Sequence, residues 1–156
     1  MGTEDRLKEI LARQVAAAEA NRQREEEAQV AAEKAKELRA EVTQKWRVQR
    51  AYIERFVVQL NEQIRKNDVQ LSVRDSRYPA PEGTFEVDKI EIGFQPRSRG
   101  DMRNLTIAVR PNGEIYVSIA SSSTSPAKHY TLNTLKATND ELEGTVLDFL
   151  DVNTPR

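Results

Sequence analysis

The hydrophobic positions change period once along this chain. Up to Asn67 they recur every three or four residues, and after Asp68 they alternate with polar ones. The first spacing is that of a helix face and the second that of a strand face. No Gly or Pro interrupts Glu4 to Asn67, and those are the residues that most reliably stop a helix. With Ala, Glu, Gln, Lys, Arg and Leu filling the stretch, one very long N-terminal helix is predicted, roughly 95 Å from end to end at the usual rise.

Within that helix the pattern is uneven. Thr3 is a suitable N-cap, followed by Glu4 and Asp5 where the helix dipole favours anions. Leu7, Ile10, Leu11 and Val15 form a short apolar stripe, and from Ala16 to Lys36 almost no large apolar residue follows. The stripe resumes through Ala31, Ala35, Leu38, Val42, Trp46, Gln49, Ile53, Phe56, Leu60 and Ile64. Its mean step of about 3.67 residues is that of an eleven-residue repeat rather than a heptad. From Trp46 the apolar arc widens to take in Tyr52, Val57 and Val58, as a helix docked on a sheet requires. The helix is therefore divided into a projecting, coiled-coil-like arm over residues 1–38 and a docked half belonging to an α+β domain over residues 39–156.

After Asn67 the alternation predicts strands around Val69–Val73, Phe85–Phe94, Leu105–Val109, Ile115–Ile119 and His129–Leu135. The second slips register at Asp88-Lys89, where a β-bulge is expected. Loops are expected over Arg74–Gly83, which holds Pro79 and Pro81, over Gln95–Asp101 and over Ala120–Pro126. Pro111-Asn112-Gly113 marks a tight hairpin turn. Thr138 with Glu141 forms a capping box ahead of Leu142, Val146, Phe149 and Leu150, one face of a closing helix. The expected fold is α+β: a very long N-terminal helix, an antiparallel sheet of about five strands, and a short C-terminal helix packed on the same face.

Composition changes this picture little. The chain is 38% hydrophobic and 31% charged, with β-branched and aromatic residues gathered after Tyr52. Residues 1–67 carry 14 basic and 12 acidic side chains, 68–110 seven of each, and 111–156 three and six, for a net charge of −1. No bulk electrostatic partner is demanded. There is no cysteine, so disulfides and thiolate chemistry are excluded. The N-terminus lacks an apolar signal region and no eighteen-residue apolar run occurs. A protein of the cytoplasm with no membrane partner is expected.

Candidate chemistry is sparse. His129 is the only histidine and is expected to be structural and half-exposed. Ser121, Ser122, Ser123 and Ser125 lack the glycines of a nucleophile elbow. Glu86, Asp88 and Glu91 are expected on the wet face of a strand rather than as an acid–base pair. No phosphate-loop, zinc or calcium-loop spacing is present. No enzyme activity, cofactor or metal is expected.

Two surfaces carry functional expectations. The long helix is expected to self-associate, a dimer being favoured, through Leu7, Leu11, Leu38, Val42 and Trp46, and to present the β domain to another protein. The second surface is basic. Arg97, Arg99 and Arg103 cluster around Gly100 beside Phe94, with Arg74 and Arg77 near Tyr78, and the docked helix adds Lys45, Arg47, Arg50, Arg55, Arg65 and Lys66. Arginines beside aromatics can grip phosphates, which makes nucleic acid an alternative partner; pairing with nearby acidic residues is the simpler expectation. A third alternative is a small apolar ligand held between helix and sheet by Trp46, Tyr52, Phe56 and Phe94.

Overall fold

A computed structural model describes residues 2–76, 86–121 and 128–155. The elements run α1 (Thr3–Ile64), β1 (Gln70–Asp75), β2 (Asp88–Gln95), β3 (Asn104–Val109), β4 (Glu114–Ala120), β5 (Lys128–Asn133) and α2 (Asn139–Val152). The fold is α+β, as expected. The chain divides into two compact units, residues 1–37 and 38–156.

In the second unit the strands form one antiparallel sheet in the order β1-β2-β3-β4-β5, each beside its neighbour in sequence. Register brings the apolar positions onto one face. Ile92 pairs with Val73 and Leu105, Ile107 with Ile90 and Val117, and Ile115 with Val109 and Leu132. Leu38 to Ile64 of α1 and the Leu142/Val146/Phe149 face of α2 join that core. The α1 stripe from Leu38 onward is thus used within the chain, Val42, Trp46, Ile53 and Val57 being buried. Val58, expected in the widened arc, is exposed.

Polar side chains fix α1 against the sheet. The Asn61 amide donates to the Leu71 carbonyl at 2.9 Å and accepts from the Leu71 amide at 2.7 Å, pairing backbone groups of edge strand β1. Gln49 donates to the Thr134 carbonyl at 2.9 Å. Tyr52 reaches Glu143 on α2. α1 ends in a 3-10 turn over Arg65–Asn67 closed by Asp68, whose φ of 56° is the left-handed cap that an Asp tolerates.

Two turn details differ from expectation. The alternation slip at Asp88-Lys89 is no bulge, since both residues pair in continuous register with Val109 and Ala108. It marks the start of β2, and Val87 lies just before the strand. The β3–β4 turn is closed by Gly113 donating to the Arg110 carbonyl at 2.9 Å, with Gly113 alone at positive φ. Pro111 and Asn112 are its central residues, so the glycine serves as the bulge position of a longer hairpin rather than as half of a two-residue turn. The capping box forms as read, Glu141 N–H donating to Thr138 Oγ1 at 3.2 Å. The expected loop with Pro79, Pro81 and Gly83, and Ser122, Ser123 and Ser125, lie outside the described residues.

Candidate functional site

The five residues assigned to self-association separate into two groups. Leu7 is 55% exposed and Leu11 50%, and Val15 beside them is 62% exposed. These stand on α1 within the first unit, where Ile10 alone of residues 2–37 is partly buried and the rest are exposed. Val42 and Trp46, by contrast, are 0% and 2% exposed, inside the core of the second unit, and Leu38 packs against that core. This corrects the assignment of Val42 and Trp46 to an interface. A helix buries the same stripe whether its partner is another chain or its own sheet, so the periodicity carried no distinction between them.

The basic loop also separates. Arg103 is engaged by Asp101, through Nε–H to Oδ1 at 3.0 Å and a terminal N–H to Oδ2 at 2.8 Å. Its guanidinium also lies 4.3 Å from the centroid of the Phe94 ring. The hydrogen bond from Arg103 holds the Asp101 carboxyl below the usual carboxylate range, and the same bond raises Arg103. Arg103 is therefore committed to holding its own loop and is not free to grip a phosphate. Arg97 and Arg99 are exposed and make no hydrogen bond or ion pair among the described residues. Arg77 and Tyr78 lie outside those residues.

On the docked helix, Arg50 is paired three ways: with Glu54 at 3.1 Å, Asp75 at 2.7 Å and Asp88 at 2.7 Å. Burial works to lower its pKa, but its three carboxylate partners outweigh that and raise it above the ordinary arginine value. The side chain of Arg65, at the helix end, has no hydrogen bond or ion pair among the described residues.

The acidic residues of β2 are placed differently from expectation. Asp88 shares strand parity with Ile90 and Ile92, so it faces α1 and accepts from the Trp46 indole at 2.7 Å. Glu91 is on the opposite, polar face but is only 6% exposed, accepting from Arg74 Nε at 3.2 Å and from the Ser76 hydroxyl at 3.3 Å. Sequence alternation identified neither the turn of Asp88 toward the helix nor the burial of Glu91. His129 is exposed on β5 opposite Ser118. Among the described residues no group of three His, Asp or Glu side chains is placed to hold a metal ion.

The side chains expected to line an apolar ligand site serve the core. Trp46 is buried against the sheet, Phe94 stacks on Phe149 with centroids 4.9 Å apart, and Phe56 packs against the same cluster. No helix among the described residues is long and apolar enough to cross a membrane. Comparison with protein-family models finds no match, and comparisons with curated proteins and with solved structures find none either.

Proposed function

We propose that the chain is a non-catalytic interaction protein that self-associates as a dimer through residues 3–37 of α1 and offers its β unit to another protein. The observation that carries this is the exposed cluster of Leu7, Leu11 and Val15 on a helical stretch with no core of its own.

A second copy fits that stretch. Leu7, Ile10, Gln14, Ala17, Asn21, Arg24, Ala28, Ala31 and Ala35 follow alternating steps of three and four, a heptad seam. The seam is apolar at both ends and polar in its middle. An antiparallel copy sets Ile10 on Ala35, Ala17 on Ala28 and Asn21 on Arg24: large on small, and polar on polar. A parallel copy would set Arg24 on Arg24, and facing like charges are unfavourable. The antiparallel arrangement is the better reading.

The magnitude sets the expected strength. Burying the exposed half of Leu7, in the seam, and of Leu11, beside it, yields roughly 1 kcal/mol each, so two copies gain roughly 4 kcal/mol. Association costs about 4–15 kcal/mol. Close Ala–Ala packing must make up the difference, so the dimer is weak and concentration-dependent. Sedimentation equilibrium across a concentration series tests this.

A further inference from the structure

Three arginines from separate segments surround one cleft of about 850 Å³ in the second unit. Arg65 comes from the turn after α1, Arg74 from β1, and Arg97 from the loop after β2. Gln70 and Gln95, paired in register at the end of the β1–β2 ladder, supply amide groups, and Phe94 supplies an apolar wall. Asp68 is the one carboxylate lining the cleft.

Two other arginines of the unit are matched by acids. Arg50 meets three carboxylates, and Arg103 meets Asp101 through two hydrogen bonds. Of the cleft arginines, Arg74 is ion-paired with Glu91 at 3.2 Å, and the other two are not matched in that way. Neither Arg65 nor Arg97 makes an ion pair among the described residues, although Arg97 lies near enough to Asp101 to help hold its carboxyl low. Arg74 is oriented rather than neutral to its surroundings: its Nε is held by the nearly buried Glu91, and a terminal nitrogen lies 3.4 Å from where a Cβ on Gly93 would stand. One guanidinium is thus fixed across the glycine while two unpaired ones flank the opening. Arg65 and Arg97 leave positive charge at this concavity that Asp68 alone does not balance, and an anion seated between them offsets it.

We propose that this cleft binds a phosphate-bearing ligand, with Arg65 and Arg97 closing on the phosphate from either side of the oriented Arg74. The planar guanidinium fork matches two phosphate oxygens at once, which a carboxylate-poor cleft leaves available. The volume is that of a small-molecule site, and an exposed strand of nucleic acid would present the same phosphate chemistry. The inference is independent of helix self-association, because every residue in it lies between Arg65 and Arg97.

The test titrates the full chain with inorganic pyrophosphate by calorimetry and with a labelled single-stranded oligonucleotide by anisotropy, in about 50 mM salt. The double variant Arg65→Ala with Arg97→Ala is compared with Arg6→Ala with Arg13→Ala, which removes two exposed arginines from the other end of the chain. Binding of either probe that weakens at least about tenfold in the cleft variant alone upholds the site. Pyrophosphate binding as tight as that of the oligonucleotide assigns a small ligand, and much tighter, steeply salt-dependent oligonucleotide binding assigns nucleic acid. No binding of either probe at millimolar concentration, or equal loss in both variants, overturns the proposal.

Discussion

The indole N–H of Trp46 donates to Asp88 Oδ2 at 2.7 Å, and the same oxygen accepts from Arg50 at 2.7 Å. One carboxylate at the start of β2 thereby satisfies two groups one helical turn apart on α1. The two contacts differ in weight. Arg50 keeps Glu54 and Asp75 if Asp88 is removed, and its side chain is partly exposed, so that ion pair is screened. Trp46 is buried and has no other acceptor among the described residues. Asp88→Ala should cost about 2–3 kcal/mol, mostly through the stranded indole N–H. Asp88→Asn keeps an acceptor and should cost about 1 kcal/mol. Urea unfolding followed by the fluorescence of the single tryptophan reads both; equal costs would show that the charge outweighs the indole bond.

Val42 should report on stability and not on association. Its side chain is wholly buried and lies 3.5 Å from the position a Cβ on Gly113 would take. Val42→Ala should cost about 2–3 kcal/mol in unfolding free energy while leaving the solution mass at a given concentration unchanged. A shift in mass without loss of stability would return Val42 to the interface.

Much of this fold is legible in the sequence because alternation and capping are local. Leu105, Ile107 and Val109 lie in β3 and pair with Ile119, Val117 and Ile115 of β4, as their period requires. Thr138 and Glu141 form their box. What was not legible is what one segment does to another. Trp46 and Val42 read equally well as facing a sheet or a second helix. Asp88 reads as a wet-face residue until its parity with Ile90 turns it toward Trp46. Arg103 reads as available until Asp101, two residues away, is seen to hold it. Arg65, Arg74 and Arg97 are far apart in sequence, and only the pairing of Gln70 with Gln95 brings their segments together.

Three of the four tyrosines should ionise late. Tyr52 and Tyr116 donate to Glu143 and Glu114, and those bonds are the main cause that raises them. Tyr130 is raised chiefly by burial and then by its 3.0 Å bond to Asp148. A raised folded value means the neutral phenol favours the folded state. That contribution is complete below the unfolded-chain value of about 10 and is lost as pH climbs through the folded value. Ultraviolet titration of the native chain should show three tyrosinates forming only above about pH 10; ordinary titration of all four would contradict the bonds.

Helix direction can be read by cross-linking, since the chain has no cysteine of its own. In the antiparallel seam Ala17 of one copy faces Ala28 of the other. Ala28→Cys alone should form no disulfide dimer, whereas Ala17→Cys combined with Ala28→Cys should form one under mild oxidation. Rapid dimerisation of the single variant would indicate a parallel pair.

The most direct measurement is sedimentation equilibrium on the intact chain and on Leu7→Glu with Leu11→Glu. These side chains touch no core, so the variant keeps its fold. The self-association proposal predicts that the intact chain rises from 17.8 kDa toward twice that mass with concentration, while the variant remains at the mass of one chain. An intact chain that stays monomeric throughout, or a variant that dimerises as the parent does, would contradict it.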